Sequence, residues 1–139
     1  MTTVDTETRV RVTELLDEFF GRVDRGEPVR DLLAEQAEFR GQQGREAVTE
    51  LLLSLAQKRR DNGRVSRHIV SNVSIEDQGG GKLRVRFLIL VMSVDTRPDA
   101  AGELVVVDHD DEVLVDADGT CRLGRQGVTP ALTFALTPQ

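Results

Sequence analysis

Two histidines are the side chains of this sequence best suited to move protons near neutral pH. His68 and His109 are the only histidines in its 139 residues, and an imidazole titrates close to physiological pH. Asp111 lies two residues after His109, so on a strand both side chains share a face. A carboxylate beside an imidazole fixes its tautomer and raises its basicity. The spacing predicts an acid-base pair; the alternative is that the acidic run 108–112 forms an exposed bulge.

His68 has a polar neighbour on its own predicted strand. Simple alternation over 65–76 places Asn72 on the face of His68. If that face looks into the interior, Asn72 orients a substrate beside the histidine; if it looks outward, both are surface or interface residues. Asp24 follows a predicted helix and precedes Gly26. This local pattern indicates a turn residue.

Other kinds of site find little support in the sequence. The single cysteine, Cys121, has no partner for a disulfide or for a C-x-x-C spacing, and is expected to be a small buried hydrophobe. No H-E-x-x-H or comparable spacing predicts a metal site. No glycine-rich phosphate loop or nucleophile elbow is present. We therefore expect neither a metal nor a cofactor.

Length and charge restrict the classes of protein and partner. The 139 residues suit one domain, here assigned to 1–139. The formal net charge of −6 argues against nucleic acid, whose binders present basic surfaces. The longest apolar run, 87–92, is far shorter than the roughly 20 residues that cross a bilayer. The N-terminus lacks a secretory pattern. We expect a cytoplasmic protein with no nucleic-acid or membrane partner.

The N-terminal half is patterned as helices. Apolar residues recur at helical spacing over 12–23, and Gly26 and Pro28 end that helix. A short second helix is expected over 29–34, since Pro28 suits a first helical turn. A third helix carries apolar residues over 47–56 and closes at Asn62-Gly63, with its basic run 58–60 at the end where cations complement the helix dipole.

From residue 64 onward the pattern is that of strands. They are predicted over 65–76, 83–94, 104–116 and 120–128, separated by a turn at 77–81, a loop through Arg97, Pro98 and Gly102, and the Asp118-Gly119 turn. The tail 129–139 is an edge strand or loose. The second strand is apolar on both faces between 87 and 92. The helices can cover one face only, so a partner subunit is expected on the other, which predicts a homodimer.

Several short motifs occur in a fixed order over 8–128. They are Asp24-Arg-Gly-Glu with Leu32-Leu33 and Ala37-Glu38-Phe39, then Gly44-Arg-Glu-Ala-Val48, then Ser66 to Asn72 with its His-x-x-x-Asn spacing, and Asp118-Gly119 followed by Arg122 and Arg125. Together they resemble the nuclear transport factor 2-like (NTF2-like) superfamily and its SnoaL-like branch. The resemblance implies an α+β fold: a cone-shaped, curved antiparallel sheet packed against three N-terminal helices, the cystatin-like α+β roll, around an apolar cavity.

The resemblance also implies a class of function. Members include ketosteroid isomerases, scytalone-type dehydratases, polyketide cyclases and epoxide hydrolases. His68 matches the histidine of the strand motif, and Asp24 matches a carboxylate near the cavity mouth. Phe19 or Phe20 stands where dehydratase-like members often carry Tyr. The chain has no Tyr and no Trp, so the phenolic donors of isomerases and dehydratases are missing, as is the Gly-x-x-Pro-Thr-Gly segment of polyketide cyclases.

Two hypotheses follow for the function. The first is an acid-base enzyme for a small apolar metabolite, catalysing isomerisation, dehydration, cyclisation or epoxide opening. In it, His68 is the general acid or base, His109 and Asp111 assist, and the substrate is contacted by Asn72, Asp24, Phe19 and Phe20. The second is a non-catalytic ligand-binding or assembly module of the same fold, because a cavity of this kind does not itself fix function.

Overall fold

In the computed structural model, which describes residues 3–97 and 101–136, the first helix, α1, spans Thr6–Arg25. The Asp5 carboxylate begins it by accepting a hydrogen bond from the Thr8 N–H at 2.7 Å. Gly26 ends it with a left-handed φ of 69°, which suits a residue without Cβ. The apolar face predicted for this helix is buried: Val12, Leu15, Leu16, Phe19, Phe20 and Val23.

The predicted second helix over 29–34 is wrong. The chain makes only one turn of 3-10 helix, Arg30–Leu32, and then enters strand β1, Leu33–Phe39. Four residues of β1 are buried, namely Leu33, Ala34, Ala37 and Phe39, and Leu33 and Ala37 are fully so. Sheet pairing therefore overrides the helix start that Pro28 allows. A two-residue strand, β2 (Gln42–Gln43), and helix α2 (Arg45–Asp61) follow.

Four long strands complete the sheet: β3 (Arg64–Gly79), β4 (Lys82–Asp95), β5 (Gly102–Val115) and β6 (Cys121–Leu136). The strand order is β2-β1-β6-β5-β4-β3. Neighbours from β3 to β6 are antiparallel, but β1 runs parallel to β6, so the sheet is mixed. The predicted α+β class is confirmed, with two α helices rather than three in the described residues.

The tail up to Leu136 continues strand β6, where Leu132 pairs with Val106 and Leu136 with Gly102 of β5. In the described part of the chain, β1 pairs with β6 only at Leu123 and Arg125, so the segment 129–136 has a neighbouring strand on one side only. It is therefore an edge segment, which is one of the two alternatives predicted for the tail. Residues 137–139, and Pro98 in the predicted loop, lie outside the described residues. Within 3–97 and 101–136, no helix combines the length and the apolar character needed to cross a bilayer. The cytoplasmic location stays a prediction.

The core lies between the helices and one face of the sheet. Along β4, Val85, Phe87 and Ile89 are buried beneath the helices. Leu88 and Leu90 alternate with them and point to the outer face. The inner face therefore carries the core and any enclosed cavity, and the outer face is left without a covering element from the described residues.

Candidate active site

A cavity of about 180 Å³ lies between the two helices and the inner face of the sheet. Most of its wall is apolar, with contributions from both helices and from β4, β5 and β6. Its polar or charged lining residues are Arg40, Arg59, His68, His109 and Gln126. Both histidines of the chain therefore reach the same cavity.

His68 is held by Asp24, which lies in the last turn of α1. The Asp24 carboxylate accepts from the His68 backbone N–H at 2.9 Å and contacts the imidazole Nδ1 at 2.5 Å. Both side chains are largely buried, with exposed fractions of 15% and 10%. An ionised carboxylate can only accept, so Nδ1 carries a proton and Nε2 of the neutral ring is a free base. The sequence placed Asp24 near a cavity mouth and did not pair it with His68.

The predicted pair of His109 and Asp111 is present on β5. His109 Nδ1 lies 3.1 Å and 3.3 Å from the two carboxylate oxygens of Asp111, and the Gly127 N–H donates to that carboxylate at 3.2 Å. The Asp111 side chain is fully buried. Burial raises the pKa of the Asp111 carboxyl, and the bond to His109 opposes that rise. The exposed acidic bulge considered for 108–112 is not formed at these two residues.

Phenylalanine rings pack against both imidazoles. Phe20 stacks on His68 with ring centroids 5.4 Å apart, and its ring stands edge-on to His109 at 5.7 Å. Phe87 stacks on His109 at 4.7 Å and also contacts Phe20 at 6.1 Å. Phe19 packs against Phe20 at 5.0 Å. Phe19 and Phe20 both line the cavity, and Phe20 contacts both histidines.

Asn72 does not share the face of His68, and that prediction is wrong. Ser71 pairs with Leu88 of β4, whereas Ser74 pairs with Arg86, so β3 contains one extra residue between them. Asn72 takes a left-handed φ of 57° at this point. A bulge of one residue exchanges the two faces of a strand. Asn72 is thus exposed on the outer face, where it cannot orient a ligand in the cavity.

Three cavity residues were not found from the sequence. Gln126 is opposite Asp111 on β6, and its buried Oε1 has no hydrogen-bond partner among the described residues. Arg59 is partly buried and its Nη2 donates to the Val23 carbonyl at 3.4 Å. Arg40 lies in the turn between β1 and β2. The basic run 58–60 indicated only a helix end, and no local pattern marks Gln126 or Arg40.

Other sites are weaker candidates. Among residues 3–97 and 101–136, no group of three or more His, Cys, Asp or Glu side chains is arranged to hold a metal ion. A larger groove, of about 560 Å³, crosses the outer face of the sheet near Asn72, Arg86 and Arg125. We place the candidate active site in the smaller cavity, because both histidine-aspartate pairs lie at it.

Of the comparisons with known proteins, only the one with solved structures finds similar proteins. No model of a known protein family matches the sequence, and no curated protein matches it. ActVI-ORFA from Streptomyces coelicolor is 20% identical, with a TM-score of 0.79 over 94% of this chain and 99% of that one. A candidate scytalone dehydratase from Novosphingobium aromaticivorans DSM 12444 is 20% identical, with a TM-score of 0.75 over 96% of this chain and 97% of that one.

A third solved structure gives the fold its name. It is an NTF2-like protein with a cystatin-like fold, also from Novosphingobium aromaticivorans, 19% identical with a TM-score of 0.70 over 88% of this chain and 80% of that one. Identities this low establish architecture and leave activity open. The helices, the mixed sheet and these likenesses confirm the predicted resemblance: the chain has the NTF2-like, cystatin-like α+β fold.

Proposed function

We propose that this protein is an acid-base enzyme that removes a proton from a small, largely apolar metabolite, with His68 as the base. The observation that carries the proposal is the buried pair of His68 and Asp24 at the wall of an apolar cavity. Asp24 accepts from the His68 backbone N–H with one oxygen and contacts the imidazole Nδ1 with the other, which gives the ring one orientation and one tautomer. Nε2 is then the basic atom, and Asp24 stabilises the imidazolium that forms when Nε2 accepts a proton.

His109 is proposed as the second proton-transfer group. Both imidazoles line the same cavity and contact the Phe20 ring, so one bound substrate can reach both of them. In a dehydration, His68 takes the proton from carbon, the C–O bond breaks, and a protonated His109 gives its proton to the departing hydroxyl, which leaves as water. Asp111 orients His109.

The cavity restricts the size of the substrate. At about 180 Å³ it is similar in size to an apolar cavity of roughly 150 Å³ that binds benzene. A metabolite with one ring therefore fits this space. Because the chain has no Tyr, its oxyanion or hydroxyl contacts come from other polar lining residues, among them His109 and Gln126. The resemblance in fold to a candidate scytalone dehydratase favours elimination among the acid-base reactions.

The second candidate function is a non-catalytic ligand-binding or assembly module. The absence of Tyr and Trp favours it, since the phenolic donors of related enzymes have no direct replacement. In this case, the two histidine-aspartate pairs hold a ligand by hydrogen bonds and transfer no proton. The two functions differ in turnover and agree in ligand binding, so one reaction that needs only a base separates them.

The test uses 5-nitrobenzisoxazole, a small aromatic probe whose ring opens when a base removes its C3 proton. We expect turnover by the wild type and a loss of at least about 100-fold in His68→Ala, the lower end for a general base. Arg67→Gln is the matched control, because Arg67 is the preceding residue and points to the other face. If the probe binds to the wild type without turnover, the binding module is favoured and the enzyme is rejected; turnover that is unchanged in His68→Ala rejects His68 as the base.

We further propose that a second copy of the chain covers the outer face of the sheet. Ile69, Leu90, Val106 and Leu132 form one continuous row across four strands. The exposed and half-buried apolar side chains around this row extend it, and we call the whole set the outer apolar patch: Val65, Ile69, Leu90, Met92, Val94, Leu104, Val106, Leu132, Phe134 and Leu136.

A two-fold dimer is the simplest way to bury the outer apolar patch. Leu132 is 56% exposed and Phe134 48% exposed, which is unfavourable for a contiguous apolar surface in water. In a two-fold interface the same surface meets itself and the assembly closes. A stable interface buries about 800 Å² per subunit. Light scattering over a range of concentrations should give about twice the chain mass of 15.4 kDa; a mass that stays at one chain contradicts the dimer.

A further inference from the structure

Two guanidinium groups line the candidate active site without a carboxylate partner. Arg40 and Arg59 both contribute to the cavity that holds His68. Neither forms an ion pair with an Asp or Glu among the described residues. Asp24 attracts Arg59 without pairing with it, since its carboxylate contacts His68. The cavity therefore has two cations at one side, a half-buried Arg59 and an exposed Arg40, that form no ion pair with a described carboxylate.

Arg59 is held where its charge is unfavourable. It is partly buried, and its hydrogen bond to the Val23 carbonyl is long at 3.4 Å. Burial lowers the pKa of the Arg59 guanidinium, the attraction of Asp24 opposes this, and repulsion from Arg60 and Arg40 adds to the lowering. A cation that is partly removed from water and repelled by another cation gains more from a bound anion than an exposed one does.

Arg40 occupies a backbone conformation that does not suit it. It takes a left-handed φ of 48°, next to Gly41 at 79°, in the turn that joins β1 to β2. Asn and Gly are the usual residues in such turns, because a longer L side chain is strained there. Its guanidinium lies 5.2 Å from the centre of the Phe39 ring, which also lines the cavity. Strain of this kind is commonest where a side chain has a function.

We propose that the ligand of this cavity carries a carboxylate, which Arg59 and Arg40 bind while its apolar ring lies against Phe20 and His68. The proposal rests on the proposed function only in taking the same cavity as the binding site. It deepens that function by defining the substrate class as a one-ring organic acid. The chain as a whole is acidic, with a net charge of −6, so the attraction is local and weakens with added salt.

The experiment compares two probes of nearly the same shape, phenylacetate and phenylacetamide, by calorimetric or NMR titration. The wild type should bind phenylacetate at least 10-fold more tightly than the amide. Arg59→Gln should abolish this preference and leave the affinity for the amide unchanged. Lys58→Gln is the control with the same change of charge, one residue earlier on an exposed part of α2, and it should keep the preference.

Arg40→Asn supplies an independent variant that does not depend on how Arg59→Gln folds. Asn suits the left-handed turn, so its melting temperature should not fall, while its preference for phenylacetate should drop severalfold. A stable Arg40→Asn protein with the full preference would contradict the role of Arg40 in the proposal.

The remaining outcomes separate this proposal from the proposed function. If the wild type binds both probes equally, the carboxylate site is rejected and the acid-base enzyme stands. If neither probe binds, the apolar binding site itself is absent and both are rejected. An equal loss in Lys58→Gln and Arg59→Gln would indicate general surface charge and would also reject the carboxylate site.

Discussion

Replacing Asp24 by Asn tests the tautomer on which the proposed chemistry depends. Asp24 accepts from the His68 backbone N–H at 2.9 Å and from Nδ1 at 2.5 Å. The backbone N–H cannot lose its proton, so the amide oxygen of Asn has to face it. The amide NH₂ then faces Nδ1. Because NH₂ is a donor, Nδ1 can bond to it only as an acceptor, without a proton of its own. The ring proton consequently moves to Nε2, and the atom proposed as the base becomes a donor.

The hydrogen bonds of Asp24 give the expected size of the fall in activity and in stability. The reactive tautomer has its proton on Nδ1. In the Asp24→Asn protein this tautomer lacks the new hydrogen bond, which is worth about 1 kcal/mol. It also leaves two donors facing each other in a buried site, which costs about 1–3 kcal/mol. The total of about 2–4 kcal/mol corresponds to a fall in kcat/KM of about 30- to 700-fold. The free energy of unfolding should fall by only about 1–2 kcal/mol, since hydrogen bonds to a charged acceptor are replaced by neutral ones.

Two measurements decide the outcome. Nitrogen chemical shifts of His68 report which ring nitrogen is protonated, and the ring opening of 5-nitrobenzisoxazole reports the base. We expect the proton on Nδ1 in the wild type and on Nε2 in Asp24→Asn, with turnover reduced as above. Asp17→Asn, an exposed acid on the same helix, is the control for charge. An Asp24→Asn protein that keeps the Nδ1 proton, or that turns over the probe within twofold of the wild-type rate, would contradict the proposed role of Asp24.

Three further predictions address the other buried pair and the outer face. Burial raises the pKa of Asp111 above its usual 3.8, so the folded protein binds this proton more tightly than the unfolded chain. The free energy of unfolding should therefore fall as pH rises from about 4 through the raised pKa, and urea titrations should show this fall reduced in Asp111→Asn. Leu90→Asp should dissociate the dimer without unfolding it, and more completely than Leu88→Asp, because Leu90 lies within the outer apolar patch; a persistent dimer by light scattering contradicts the interface. Asn72→Gly should bind phenylacetate like the wild type, since the bulge places Asn72 outside the cavity; weakened binding would contradict that placement.

Features that depend on local periodicity could be predicted from the sequence alone. Apolar residues at helical spacing defined α1 and its buried face, and Gly26 marked its end. Alternation and turn residues located the four long strands. The pair of His109 and Asp111 could be predicted because residues two apart on a regular strand share a face, whatever lies beyond the strand. The order of short motifs likewise predicted the fold that the structural likenesses confirm.

The assembly of the candidate site could not be predicted from local patterns and is seen only in the tertiary structure. Asp24 and His68 are 44 residues apart, and their contact exists because the end of α1 packs against β3. The bulge that moves Asn72 out of the cavity arises in the pairing of β3 with β4. Alternation along one strand carries no information about that pairing. Arg40 and Arg59 reach the cavity from a turn and a helix end. Local patterns report on neighbours along the chain, whereas a site is formed by contacts between distant segments, which depend on how the whole chain packs.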